Sequence, residues 1–213
     1  LHAEQLEGEM EDAEDAPASQ VVDRHFLAPY DDLDSVAEFA RSVDVVTFEF
    51  ENVPAATTTA AAEHAPVRPA GALLHTTQNR IREKKALSSL GLPVAKYAEL
   101  HEAPDLEAAQ QAIPGPGLLK TAAWGYDGHG QRRVASATEL PGRWQELGEQ
   151  AAVFEALVPF ECEISVIGAR GLGGETVLYE PFENRHANQI LDVTLWPARI
   201  ASVTRDRAIE VAR

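Results

Sequence analysis

The sequence has a single cysteine, Cys162, in 213 residues. No intrachain disulfide can form, and a four-thiolate zinc site is excluded. One thiol fits a reducing compartment, so a cytoplasmic setting is expected. Basic residues are scarce too: 18 Lys and Arg stand against 34 Asp and Glu, a formal charge of −16. Nucleic acid and anionic membrane surfaces both require a basic footprint, so neither is expected as a partner. A small anionic ligand remains open, because a few local cations can hold phosphates. No apolar run approaches the ~18–20 residues of a membrane span, and the acidic start is unlike a signal peptide. The seven histidines show no HxxxH or HExxH spacing and no GxSxG occurs, which leaves zinc hydrolases and α/β-hydrolases unsupported.

What is present is an alternation of helix and strand signals. Residues 1–16 are expected to form a solvated acidic tail, with seven acids and no Lys or Arg in the first 15 positions. Residues 25–28 read as a strand. A helix follows over 33–41, with Asp31 or Asp32 placed to cap it. DVVTFEF, residues 44–50, reads as a buried parallel strand. Pro54 then suits the start of a helix to His64. A helix over 78–90 ends at Gly91 and Pro93. Further on, strands are expected at 95–100, 118–122, 132–135, 152–155, 163–169 and 176–180. Helices are expected at 105–112, 138–147 and 205–213. The fold class is therefore α/β, with a parallel sheet expected in the early part of the chain.

Four strings carry chemistry. LLKTAAWGYDGHGQ, residues 118–131, puts Lys120 at the end of an apolar strand and glycines at 125, 128 and 130. Glycines let backbone amides approach phosphate oxygens, and the lysine adds a charge. A strand follows the loop, so it is neither a Rossmann turn nor a P-loop; an ordinary glycine-rich hairpin is the plainer alternative. DVVTFEFENVP, residues 44–54, places Glu49, Glu51 and Asn52 at a sheet edge where open α/β sheets bind ligands. Alternatively, Glu51 and Asn52 only cap the next helix. AVFEALVPFECEISV, residues 152–166, has the form of an adenine-binding inter-strand segment with nearby carboxylates, or of solvated strand ends. YEPFENRHANQIL, residues 179–191, mixes acids, an amide, Arg185 and His186.

In this order the four strings resemble one family, the 5-(carboxyamino)imidazole ribonucleotide synthases, which are ATP-grasp ligases of purine biosynthesis. The resemblance runs from PASQVVD, residues 17–23, to the last residue. It implies that Arg80 and Lys120 contact ATP phosphates. Gly125, Tyr126, Asp127, Gly128, His129, Gly130 and Gln131 would form the loop closing over them. Glu155, Ala156, Leu157 and Val158 would hold adenine, Glu163 the ribose, and His186 the nucleotide. Tyr126 and Asp127 would lie near the aminoimidazole and bicarbonate, with Asp127 the candidate proton-handling group. Many family members carry Arg or Lys where this chain has His129, whose charge is conditional near neutral pH.

The resemblance also implies part of an N-terminal parallel-sheet domain over 17–70 and an ATP-grasp domain over 71–213, with a lid over about 115–160 and a larger catalytic subdomain starting near 182. Its substrates would be ATP, bicarbonate and 5-aminoimidazole ribonucleotide, its metal magnesium, and its usual assembly a homodimer. The family's glycine-rich opening has no counterpart here, and its magnesium ligands are expected beyond Arg213, so the chain is expected to be a piece of the enzyme. Two alternatives stand beside this reading. One is another ATP-grasp ligase, such as a formate-dependent glycinamide ribonucleotide transformylase. The other is a non-catalytic nucleotide-binding protein.

Overall fold

The computed structural model of the chain describes residues 8–11, 17–49, 51–123, 130–187 and 190–213. They fall into two compact units, Leu1–Ala86 and Leu87–Arg213.

In the first unit, strand β1 (Gly8–Glu11) pairs in parallel with β2 (Arg24–Leu27). Over residues 8–11 this corrects the expected acidic tail; the rest of 1–16 lies outside the described residues. Within GEME, Glu9 and Glu11 alternate with Gly8 and Met10 at the two-residue period of a strand. Met10, between two of those acids, packs against the core of the unit. Helix α1 (Leu33–Arg41) starts as read from the sequence: Asp32 accepts from the Ser35 amide at 3.3 Å and its hydroxyl at 2.8 Å. These bonds to Ser35 hold the Asp32 carboxyl below its usual range. Helices α2 (Ala55–Ala62) and α3 (Gly71–Thr77) follow. Val36, Ala40, Ala61, Ala65 and Val67 form the core between these elements.

The DVVTFEF strand is a second correction. Among its described residues only Val46 pairs, through one parallel bridge to Val67. The Val46 amide donates to Pro66 and the Arg68 amide to the Val46 carbonyl. Pro66 has no N–H, so the partner segment lacks the donor that would extend the ladder on the N-terminal side of this bridge. Phe50 lies outside the described residues. Helix α2 begins after Pro54 with no side-chain cap, so neither Glu51 nor Asn52 caps it. Instead, the Gln78 side-chain amide donates to the carbonyls of Glu51 and Val53, both at 2.6 Å.

Helix α4 (Arg80–Ser89) crosses the division between the units and is capped by Asn79, which accepts from the amides of Ile81 and Arg82. The single helix expected over 78–90 is thus α4 alone. Helix α3, just before it, gave no signal in the sequence reading.

The second unit opens with a four-stranded antiparallel sheet in the order β3 (Tyr97–Leu100), β6 (Ala152–Ala156), β4 (Gly117–Thr121), β5 (Gln131–Val134). Helices α5 (Asp105–Ala112) and α6 (Leu140–Glu146) supply its core partners. Leu100, Leu119, Val134 and Phe154 are fully buried there against Ala109, Leu140 and Trp144. Gly117 is required by close approach: a side chain there would run into the Phe154 ring and the Glu155 carbonyl.

Beyond the sheet lie β7 (Glu163–Ser165), β8 (Gly168–Arg170), β9 (Thr176–Leu178), β10 (Phe182–Ala187), β11 (Ile190–Leu195) and α7 (Ser202–Ala212). The order β11–β10–β7 makes a three-stranded antiparallel sheet, while β8 and β9 form a separate hairpin. The single strand expected over 163–169 is therefore two. Its halves serve different partners, β10 and β9, and break between Ser165 and Gly168.

Candidate functional site

Alternation along the strands divides the four-stranded sheet into two faces. Leu119, Phe154 and Val134 point into the core with α5 and α6. Lys120 and Glu155 therefore belong to the opposite face. Their strands pair with Leu118 opposite Glu155 and Lys120 opposite Val153, so the two charged residues are diagonal neighbours. Lys120 Nζ lies 3.2 Å from Glu155 Oε2, and both side chains are largely covered, at 24% and 12% exposure. Gln131 opens β5 directly opposite Lys120.

The loop between β4 and β5 is anchored at its base. The Thr121 amide donates to the Gly130 carbonyl at 2.8 Å. Gly130 has φ +71°, a conformation in which only glycine is unstrained. Gly125, Tyr126, Asp127, Gly128 and His129 lie outside the described residues.

The other end of the sheet forms the candidate adenine hinge. Glu155 and Ala156 end β6, and Leu157 and Val158 follow it. The Ala156 amide donates to the Lys96 carbonyl at 2.8 Å and the Leu157 amide to the Pro116 carbonyl at 3.0 Å. Among the described residues the Val158 amide has no such acceptor. Leu157 and Val158 are 39% and 48% exposed. An apolar edge with a spare backbone donor is the chemistry a planar heterocycle with ring nitrogens needs.

After the hinge the chain enters the three-stranded sheet. Here Glu163 on β7 and His186 on β10 meet, with His186 Nδ1 2.7 Å from Glu163 Oε2. The register explains why: Asn184 stands opposite Glu163, and His186 is two residues further on, facing the same way. A bulge falls between Arg185 and His186, leaving Asp192 of β11 without a partner. Arg80 opens α4 and is described with the first unit.

Two polar groupings escaped the sequence reading. Asn184 donates to Ser165 Oγ at 3.0 Å and accepts from Thr194 Oγ1 at 3.1 Å, linking all three strands. Glu183 is buried and accepts from both Arg185 Nε and Nη2, and from the Arg199 backbone and side chain. The bonds from Arg185, then those from Arg199, hold its carboxyl below the usual glutamate range. The signal was the alternation within FENRH, which puts Glu183 and Arg185 on one face and Asn184 and His186 on the other.

The sequence comparisons agree with this architecture. The family model described as the ATP-grasp domain matches residues 85–213. A second, the ribonucleotide synthetase preATP-grasp domain, matches residues 6–78. The chain belongs to the ATP-grasp family.

Within that class its relatives are specific. It is 39% identical over 194 residues to the N5-carboxyaminoimidazole ribonucleotide synthase of Brucella melitensis, covering 90% of this chain and 54% of that protein. The enzyme of the same name from Pseudomonas aeruginosa is 36% identical over 186 residues, covering 87% and 51%. A crystal structure of the ADP complex of an N5-carboxyaminoimidazole ribonucleotide synthetase matches with TM-score 0.90 at 36% identity, covering 96% of this chain and 54% of that one. The chain thus spans about half the length of the curated relatives it matches.

Proposed function

We propose that this chain carries nucleotide-binding machinery of an N5-carboxyaminoimidazole ribonucleotide synthase. The observation that carries the reading is Lys120, held against Glu155 on the sheet face opposite the α5–α6 core, on the strand whose neighbour ends in the 155–158 hinge. The ADP complex of a relative sharing this fold at 36% identity supports it.

In this reading adenine lies along Glu155, Ala156, Leu157 and Val158, accepting from the Val158 amide. Glu163 binds ribose hydroxyls, and His186 sits against Glu163 to orient it. Lys120 and Arg80 meet the phosphates. The segment 125–131 closes over them and excludes water. Tyr126 and Asp127 serve the second substrate.

The reaction is ATP-dependent carboxylation of 5-aminoimidazole ribonucleotide in purine biosynthesis. Bicarbonate oxygen takes the γ-phosphoryl group, giving ADP and carboxyphosphate. The exocyclic amine of the aminoimidazole then captures the carbon, forming the N–C bond as phosphate departs. A lid over about 115–160, a larger subdomain starting near 182, a homodimeric assembly and a cytoplasmic location belong to the same reading. Magnesium would neutralise charge on the transferring phosphoryl group. Among the described residues no three His, Cys, Asp or Glu side chains cluster to hold a metal. They give magnesium no seat.

Calorimetric titration with ADP tests the site. The chain should bind ADP, and Lys120→Ala should weaken binding by about tenfold or more, the scale of a lost charge-assisted contact. Unchanged affinity in the variant would remove Lys120 from the site. Turnover with aminoimidazole ribonucleotide and bicarbonate, against formate and glycinamide ribonucleotide, separates this activity from that of other ATP-grasp ligases. ADP binding without turnover of either pair favours a binding protein.

A further inference from the structure

The role of the Glu155 side chain is separate from that of the backbone at the hinge. Its carboxylate is the more covered member of the pair, 12% exposed against 24% for Lys120. The two groups are in direct contact, Lys120 Nζ to Glu155 Oε2 at 3.2 Å, in a largely covered setting. A lysine stem is flexible, and an ammonium in a partly covered position must be compensated. Glu155 meets both needs from a rigid place: it sits on β6, hydrogen-bonded between β4 and β3. One of the three ammonium donors is directed at Oε2, and the others can serve a phosphate oxygen.

We propose that Glu155 is a positioning residue for nucleotide binding, acting through Lys120. Its carboxylate fixes the ammonium in the orientation that receives the polyphosphate. The inference rests on the nucleotide reading above and adds to it a defined chain of action. Removing the carboxylate should cost affinity only while the lysine is present. The opposite sign is also chemically reasonable, because a carboxylate beside the phosphate path could repel nucleotide or occupy the lysine. The rigid seat of Glu155 on a central strand favours positioning, and the sign of the affinity change on removing the carboxylate separates the two.

A double-mutant cycle on the full 213-residue chain tests this, with ADP titrated calorimetrically into wild type, Glu155→Gln, Lys120→Ala and the double variant. Glu155→Gln should weaken ADP binding about tenfold beside Lys120 and less than about twofold beside Ala at position 120. Equal losses in both backgrounds would overturn the proposal and leave the nucleotide reading intact. Tighter binding in Glu155→Gln would overturn it in favour of an inhibitory pair. Failure of wild type to bind ADP would overturn both readings. Thermal melting checks that each variant is folded. If Glu155→Gln does not fold, Glu155→Asp enters the same cycle, with any loss again confined to the lysine background.

Discussion

The three- and four-stranded antiparallel sheets of the second unit are built from similar β-prone segments, yet of these two, among the described residues, the four-stranded sheet alone has a deep core. There, Leu100, Leu119, Val134 and Phe154 are inaccessible to solvent beneath α5 and α6. In the three-stranded sheet, β11 carries Ile190, Leu191 and Val193 at 40–52% exposure, and α7 buries no residue. The difference lies in the helices rather than the strands. A strand's apolar face contributes stability only where another layer covers it. The three-stranded sheet instead coheres through polar contacts: Glu183 with Arg185 and Arg199, Asn184 with Ser165 and Thr194, and Glu163 with His186.

That contrast can be broken most forcefully at Phe154. Phe154→Ala should cost about 3–5 kcal/mol, the range for deleting a buried ring. Hydrogen exchange should show the loss across β3, β4, β5 and β6. Preserved protection there would mean the core does not depend on this ring.

The polar sheet should respond to acid instead. The Glu183 carboxyl is held below its usual value by Arg185 and Arg199, so it binds its proton less readily folded than unfolded. Its contribution is therefore fully present above the ordinary glutamate value of 4.5 and disappears as pH falls through the depressed folded value. Amide protection in β10 should drop over that acid window, and Glu183→Gln should flatten the response while leaving the four-stranded sheet unaffected. An unchanged acid profile in the variant would assign the cohesion elsewhere.

The smallest effect belongs to α7. Val203, 74% exposed, should tolerate Ala with a change under about 0.5 kcal/mol by thermal melting. A loss well beyond that would show its face to be covered in solution.

Local signals made much of this molecule readable. Asp32 and the stripe of Val36 and Ala40 mark α1, and α5 lies over the residues expected for it. The strands around Lys120 and Glu155 announce themselves by short apolar runs ending in a charge. What failed, failed for want of a partner. DVVTFEF has high β propensity, but the segment beside it is flanked by prolines and supports a single bridge. The acidic start looked solvated because its charges outnumber its apolar residues, although Met10 gives it one side to bury. The run 163–169 is continuous in propensity and divided in space, because β10 claims one half and β9 the other.

By itself, the sequence determined the residue types of the candidate site: a lysine ending an apolar strand, a glycine-rich loop, a carboxylate before a hinge, and an ENRH string. Their order along the chain carried the family. Only the tertiary structure decided which of them touch. Lys120 and Glu155 are 35 residues apart, and become diagonal neighbours only because β4 and β6 pair with Leu118 opposite Glu155. Glu163 and His186 meet only because β10 pairs with β7 in one register. A register shift of one residue would send each partner to the opposite face, and the four side chains would no longer pair.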